Sequence, residues 1–256
     1  MDFDIIDFHT HPFFSKEDNI CKYKELLGMD HKSFARDISE AGISRFAGSV
    51  IHKTSEDQLE AIKMSNRDAL ALSEIYGDAY IPGIHVHPDY VSESIEELRI
   101  AHSRGCKLIG ELVPYTHGWR DYSCEGFSEI LDEAERLKMT VSLHTMNISE
   151  MEKMALLHKD VPFVFAHPGE HERVMEHIGV MMKCENVHLD LSGTGLFRHG
   201  VLKFLVSKVG ADRILFGTDY PVCNLKMYIG GVLDEHLSDK ELELVFSGNA
   251  KRILGL

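Results

Sequence analysis

Eight short apolar runs alternate with longer stretches of helical periodicity along the chain, and this alternation most constrains its fold. The runs are rich in β-branched residues and end in polar residues, Gly or Pro; they cover residues 4–9, 45–52, 80–87, 106–113, 140–144, 162–167, 187–191 and 213–217. The helical stretches cover residues 31–40, 56–76, 91–103, 125–137, 149–158, 170–182, 201–209 and 239–254, with a longer loop at 12–30. Repeated strand–helix units predict a parallel sheet covered by helices.

The length of the chain selects one arrangement of these units. A chain of 256 residues fits a single (β/α)8 TIM barrel over residues 1–256. An open doubly wound sheet competes with it, but no run is followed by the glycine-rich phosphate turn that usually marks such folds. The barrel predicts that functional side chains lie where strands end. Seven of the eight runs carry His, Glu or Asp at or just beyond that end.

Charge and cysteine content exclude several classes of function. The chain has 27 Lys and Arg against 41 Asp and Glu, a net charge of −14, which disfavours a nucleic-acid partner. It has no run of 18 apolar residues and therefore predicts no membrane span. The acidic start, Met1-Asp2-Phe3-Asp4, lacks a basic leader, and the five cysteines are scattered. We therefore predict a cytoplasmic protein that acts on a small molecule.

The first run ends in a pair of histidines. In an extended chain residues i and i+2 point to the same side, so His9 and His11 can both face the barrel mouth. Two imidazoles on one face supply half of a zinc or iron site. Taken alone, the pair is equally compatible with two partly exposed loop histidines.

Further ligand types recur at the ends of other strands. His144 ends the fifth run, His167 ends the sixth, Glu111 lies at the end of the fourth, and Asp219 follows the eighth. Each has a structural alternative, such as a hydrogen-bonded core histidine or a carboxylate that caps a loop. Their coincidence at matching strand ends favours a metal site.

Several segments, in this order, resemble the amidohydrolase superfamily. They are residues 5–12 (IIDFHTHP), His144, His167, residues 215–221 (LFGTDYP) and residues 248–254 (GNAKRIL). The resemblance is narrower to the amidohydrolase-related group, amidohydrolase 2, which also contains aminocarboxymuconate-semialdehyde decarboxylase. It implies a metal-dependent TIM barrel without the β-sandwich domain of urease-like members, because the chain begins directly at strand 1.

The resemblance also implies roles for individual residues. Four of them would surround the metal: His9, His11, His144 and Asp219. His167 would be a second-metal ligand or a catalytic histidine. Glu111 departs from the pattern, because many two-metal members have a carboxylated lysine on strand 4. A glutamate there can bridge two cations, or it can orient a ligand histidine.

This site predicts a metal-dependent hydrolase that cleaves an amide, ester, lactone or lactam bond with metal-activated water. Asp219 would transfer protons between water and leaving group. The cofactor is one or two divalent ions, zinc first, with manganese, iron and nickel as alternatives. The competing enzyme is a one-metal, non-oxidative decarboxylase of an aromatic or muconate-type acid, with His167 and Asp219 as catalytic partners. The complete ligand set disfavours a catalytically silent barrel.

Other side chains near strand ends are weaker candidates for substrate contacts: His87, His52, Trp119 and Arg198. The alternatives are hydrogen-bonded rim histidines, a self-packed lid for the tryptophan and a solvated arginine. Three polar residues alternate on the seventh strand and are assigned to structural hydrogen bonding: His188, Asp190 and Ser192. Barrels of this type often pair, which leaves a homodimer open.

Overall fold

The computed structural model describes residues 3–52 and 57–256. The predicted helix start at Glu56, and Met1 and Asp2 of the acidic start, lie outside the described residues. Eight strands form one parallel sheet in chain order: β1 (Ile6–Thr10), β2 (Arg45–Ser49), β3 (Tyr80–Ile84), β4 (Leu108–Leu112), β5 (Thr140–His144), β6 (Phe163–Ala166), β7 (Val187–Asp190) and β8 (Ile214–Leu215).

The sheet curls until its first and last strands meet. The Phe8 amide donates to the carbonyl of Phe216 at 2.9 Å, and the His11 amide donates to the carbonyl of Tyr220 at 2.7 Å. These bonds continue beyond the short β8 and join the segment after it to β1. The predicted (β/α)8 TIM barrel is confirmed, and the open doubly wound sheet is excluded.

Helices surround the barrel: α1 (Lys24–Leu27), α2 (His31–Glu40), α3 (Gln58–Tyr76), α4 (Val91–Ser103), α5 (Glu125–Arg136), α6 (Ile148–Leu157), α7 (His171–Met181), α8 (Val201–Val209), α9 (Leu225–Leu233), α10 (Asp239–Glu243) and α11 (Asn249–Leu254). A π-helical turn, Leu244–Gly248, makes the last two continuous, as predicted for 239–254. The predicted helices 31–40, 91–103 and 201–209 match α2, α4 and α8 residue for residue. In residues 3–52 and 57–256, no helix combines the length and apolarity that crossing a bilayer requires.

Local capping explains where some of these helices begin. The Asp30 side chain accepts a hydrogen bond from the Ser33 amide at 2.8 Å, and the Ser33 hydroxyl accepts one from the Asp30 amide at 2.8 Å. Ser238 and Glu241 form the same reciprocal pair at the start of α10. Each pair satisfies amide groups that have no partner in the first helical turn.

The core has two parts, one on each side of the sheet. The larger part packs the outer faces of the strands against the helices. The smaller part gathers one or two residues from each of six strands, together with two residues of α11: Ile6, Phe8, Ala47, Ile81, Leu108, Val164, Leu215, Ala250 and Leu254. This inner cluster fills the barrel near the amino-terminal ends of the strands. The opposite end is left to polar side chains.

Candidate metal centre

An irregularity in β1 turns His9, and His11 just after the strand, towards the barrel interior. The register between β1 and β2 shifts by one residue after Asp7, so β1 contains a bulge. A bulge reverses which alternate residues face a given side. Ile6 therefore packs in the inner cluster below the bulge, and His9 and His11 face the interior above it.

A second bulge does the same for Glu111. The register between β4 and β5 shifts after Ile109. Leu108 lies in the inner cluster, and Glu111 faces the interior beyond the bulge. Gly110 adopts a φ of +93°, and a Cβ at this position would lie 2.3 Å from the Ser142 carbonyl oxygen. The bulge in β4 therefore requires glycine.

The two histidines of the first strand end lie against one oxygen of Glu111, and Asp219, after β8, lies against the same histidines. Nε2 of His9 and Nε2 of His11 lie 3.3 and 3.4 Å from Glu111 Oε2, and 3.2 Å from each other. Asp219 Oδ1 lies 3.4 Å from Nε2 of His11. The donor atoms of His9, His11 and Asp219 are close enough to bind one ion.

The other oxygen of Glu111 faces two further histidines. Glu111 Oε1 lies 2.8 Å from His144 Nδ1 and 3.3 Å from His167 Nε2. A second group with ion-binding spacing consists of His9, Glu111 and His167. Glu111 thus lies between two sets of donors, with one carboxylate oxygen turned towards each. The structure brings together all six residues that the sequence marked as candidate metal ligands.

The backbone is strained at two of these positions. His167 and Asp219 both have a φ of +69°, a left-handed conformation that is uncommon for residues other than glycine and is concentrated at functional sites. Hydrogen bonds hold the conformation at both places. The Asp219 amide donates to the His9 carbonyl at 2.8 Å, and Nε2 of His177 lies 3.2 Å from the His167 carbonyl oxygen.

Electrostatic interactions within the cluster are strong. Burial raises the pKa of Glu111, but the charge of His9 and hydrogen bonds from His11 and His144, among others, outweigh burial and hold this pKa well below its usual range. Burial lowers the pKa of His11, but hydrogen bonds to Asp219 and Glu111 outweigh burial and raise it to about 9. The cluster therefore attracts positive charge. A divalent cation competes with protons there, so its affinity falls as the pH falls.

The donor set fits a divalent transition metal. Imidazole nitrogens and carboxylate oxygens suit zinc, manganese, iron and nickel. His9, His11 and Glu111 are almost fully buried. Buried imidazoles and carboxylates that converge in this way are costly unless a charge partner compensates them. A cation bound among these side chains would supply that compensation.

A cavity of about 440 Å³ opens beside this cluster. Its lining residues come from β5 and from the loops after β5, β6, β7 and β8, together with the start of α7: His144, Thr145, His167, Gly169, Glu170, Arg173, Gly193, Thr194 and Asp219. Arg173, in the first turn of α7, is the one cationic side chain other than histidine among them. Arg173 is not among the residues predicted from the sequence, because it lies on a helix rather than in a loop.

The four predicted substrate contacts are not among the residues that line this cavity. His87 uses both ring nitrogens within the protein, since Nε2 lies 2.9 Å from the His117 carbonyl oxygen and Nδ1 accepts from the Asp89 amide. Trp119 is buried against Tyr122 and Phe127. These two side chains pack inside the loop after β4 and the end of β3, which keeps them out of the cavity.

The other two predicted contacts are engaged elsewhere. His52 lies between two carboxylates, with Nδ1 2.9 Å from Asp18 Oδ1 and Nε2 2.9 Å from Asp68 Oδ2. Arg198 is exposed, forms an ion pair with Glu170 at 3.2 Å, and lines a neighbouring cavity. The arginine that lines the cavity beside the cluster is therefore Arg173 and not Arg198.

Comparison with known proteins identifies the family. An amidohydrolase family model matches residues 6–256, so the chain belongs to the amidohydrolase family. This confirms the resemblance based on the sequence motifs. A comparison with curated protein sequences gives no match.

Solved structures share the fold at low sequence identity. The 2,6-dihydroxybenzoate decarboxylase from Rhizobium has a TM-score of 0.76 and 17% identity, with 99% of this chain and 99% of that chain covered. A dihydroxybenzoic acid decarboxylase from Polaromonas sp. JS666, with bound manganese and the inhibitor 2-nitroresorcinol, has a TM-score of 0.70 and 15% identity, with 99% and 97% covered. A probable 2-pyrone-4,6-dicarboxylic acid hydrolase from Acinetobacter baumannii, with citric acid bound, has a TM-score of 0.70 and 15% identity, with 100% of both chains covered.

Proposed function

We propose that this chain is a metal-dependent hydrolase that uses a pair of divalent ions to cleave an amide, ester, lactone or lactam bond of a small molecule. The position of Glu111 carries this proposal. One of its oxygens faces His9 and His11, and the other faces His144 and His167. A carboxylate between two sets of donors is suited to two cations, because its charge offsets their mutual repulsion.

The six ligand candidates divide between the two ions. His9, His11 and Asp219 would hold one ion, His144 and His167 would hold the other, and Glu111 would be shared. When bound, such ions supply Lewis-acid polarisation of a carbonyl and activation of water near neutral pH. We propose zinc first, and the manganese in the Polaromonas structure supports manganese as the alternative.

Asp219 carries the proton-transfer role in this proposal. Its side chain lines the cavity and is 14% exposed, so it reaches both the donor cluster and a bound substrate. The carboxylate accepts the proton of the attacking water. It returns that proton to the nitrogen or oxygen that leaves when the bond to the carbonyl carbon breaks.

The lining of the cavity is suited to a substrate that carries a carboxylate. The Arg173 guanidinium can pair with an anionic group of a substrate. Its present ion pair with Glu176, at 2.8 Å, lies at the surface, where such pairs contribute little to stability. The named ligand or substrate is an acid in the Rhizobium and Acinetobacter relatives.

A cytoplasmic location and a homodimer stay predictions.

A second candidate function is non-oxidative decarboxylation of an aromatic or muconate-type acid. The two dihydroxybenzoate decarboxylases that share the fold favour it. In that enzyme one ion is bound, and His167 and Asp219 act as the catalytic partners. The number of ions separates the two functions.

The proposed function is tested by metal analysis together with a substrate screen. The purified protein is stripped with a chelator, reloaded with zinc or manganese, and assayed with lactones, lactams, esters and amides, each with and without a carboxylate. Dihydroxybenzoates are assayed in parallel for release of carbon dioxide. We expect two ions per chain and metal-dependent hydrolysis of the carboxylate-bearing compounds. Release of carbon dioxide by protein that binds one ion would refute the hydrolase and favour the decarboxylase.

Replacing Asp219 with asparagine should separate catalysis from metal binding. The amide oxygen can still approach the cation, but it cannot take a proton from water, so we expect a loss of activity of about 10²–10⁴-fold. Most of the metal should remain. The measurements are turnover and metal content of Asp219→Asn, with Asp234→Asn, at an exposed position, as the control. Near-normal turnover would assign the proton transfer to another group, with His167 the first to test.

A further inference from the structure

A buried serine lies directly behind two of the candidate metal ligands. Ser192 Oγ lies 3.0 Å from Nδ1 of His9 and 3.0 Å from Nδ1 of His167. The Ser192 hydroxyl also donates to Asp190 Oδ1, and the second oxygen of Asp190 lies 3.0 Å from His9 Nδ1. Ser192 and Asp190 are inaccessible to solvent. One hydroxyl therefore touches both histidines on the side away from the substrate cavity.

The direction of these hydrogen bonds follows from the inventory of donors and acceptors. Asp190 Oδ1 accepts from both the amide and the hydroxyl of Ser192, so the single hydroxyl proton points at Asp190. The lone pairs of Oγ are then left to accept from Nδ1–H of His9 and from Nδ1–H of His167. Each neutral ring accordingly presents the Nε2 lone pair on its opposite side.

That opposite side faces Glu111. Nε2 of His9 lies 3.3 Å from Oε2 of Glu111, and Nε2 of His167 lies 3.3 Å from Oε1. The four residues form a closed ring, with the serine hydroxyl at one end and the glutamate carboxylate at the other. Each of the two histidines contributes to a different side of the carboxylate.

The backbone that follows this serine packs closely against His167. Gly193 has a φ of +63°, and a Cβ at this position would lie 2.3 Å from Nδ1 of His167. The Tyr228 hydroxyl, from α9, donates to the Gly193 carbonyl. The segment at residues 192–193 is therefore anchored from outside and leaves no space for the His167 ring to turn towards it.

We propose that Ser192 is a positioning residue that fixes the tautomers of His9 and His167 together and aligns the ligand atoms on both sides of Glu111. The effect on two ions rests on the proposed function, whereas the tautomers do not depend on the reaction catalysed. The two histidines differ in the number of hydrogen-bond partners of Nδ1. Asp190 also holds His9, but Ser192 is the single hydrogen-bond partner of Nδ1 of His167 within residues 3–52 and 57–256.

This difference defines the test, which uses the zinc-loaded protein and Ser192→Ala. Nitrogen-15 NMR of the rings should show Nδ1–H on both histidines in the parent protein. In Ser192→Ala the Nδ1–H signal of His167 should be lost to solvent exchange while that of His9 persists. Zinc titration should show one site weakened by about 10–100-fold, the range for loss of a group that orients a metal ligand, and the other site retained.

Ser94→Ala is the matched control, because Ser94 is a buried serine whose hydroxyl contacts His87; it should change neither NMR signals nor zinc affinity. Unchanged zinc affinities together with a persistent His167 signal in Ser192→Ala would overturn the proposal. So would an Nε2–H tautomer of His167 in the parent protein, which needs no variant. A parent protein that binds one zinc would refute the proposed two-ion function but not the role of Ser192, because NMR reports the tautomers independently of the number of ions.

Discussion

Replacing His9 with alanine is expected to release the ion proposed for His9, His11 and Asp219 and to reduce hydrolysis to background, with the barrel still folded. His9, His11 and Asp219 form one of the donor groups with ion-binding spacing, so the loss of the His9 imidazole weakens that site directly. The inner cluster of apolar residues does not include His9. Since the carboxyl-terminal face of a barrel carries function rather than stability, the fold does not depend on this side chain.

The measurements are metal content, turnover and thermal unfolding of His9→Ala. His11→Ala should also lose activity, with the loss of metal concentrated at the site shared with Asp219. His102→Ala on α4, where the imidazole contacts Lys107, is the control and should keep both ions. Full metal content and normal turnover in His9→Ala would refute the assignment of the metal centre.

Replacing Glu111 with glutamine has the second large expected effect. The Glu111 carboxylate would offer one oxygen to each ion, whereas a glutamine side chain would offer one oxygen and an NH2 group, which is a donor and cannot bind a cation. We expect one ion to be released, the other to be retained at least in part, and hydrolysis to fall by more than the 10²–10⁴-fold that is typical for loss of a general base.

Two further results are informative for Glu111. If its carboxylate only orients a ligand histidine, Glu111→Gln should lower metal affinity by about 10–100-fold without changing the number of sites. Glu235→Gln is the control, because Glu235 is a buried carboxylate that accepts hydrogen bonds from the amides of Gly200 and Lys203. Its metal content should not change.

The architecture and the cluster of ligands could be predicted because both depend on local signals. Strand and helix periodicities are visible in short windows, and a barrel brings the carboxyl ends of all strands to one rim. The bulges are harder to see. Strict alternation along 106–113 places Leu108 and Glu111 on opposite sides of β4, yet both face the interior. Gly110, at the required left-handed position, is the one local sign of that shift.

The two helices that were not predicted from the sequence, α9 and α1, lack a periodic pattern of apolar residues. The sequence of α9, LKMYIGGVL, is apolar nearly throughout and contains two glycines, so it shows neither amphipathic spacing nor high helix propensity. The helix α1 has four residues within the long loop after β1. The helix α9 packs through its buried residues Leu225, Tyr228 and Val232, a tertiary contact that local periodicity does not report, whereas α1 has no buried residues.

The predicted substrate contacts lie outside the lining of the cavity for a different reason. Trp119 and His87 lie near strand ends in the sequence, but the loop after β4 folds back and buries them. Arg198 and Arg173 both lie near the mouth, and the paths of the loops after β6 and β7 decide which one lines the cavity. Loop paths depend on contacts between distant segments, such as the hydrogen bond from the Gly169 amide to the Thr194 carbonyl.

Binding of two ions is tested most directly by a crystal structure of the metal-loaded protein with anomalous data collected at the absorption edge of the metal. Two anomalous peaks roughly 3.5–4 Å apart are expected, one beside His9, His11 and Asp219 and the other beside His144 and His167, with Glu111 between them. A single peak held by His9, His11, His144 and Asp219, with Glu111 turned away, would contradict the two-ion hydrolase and favour the decarboxylase.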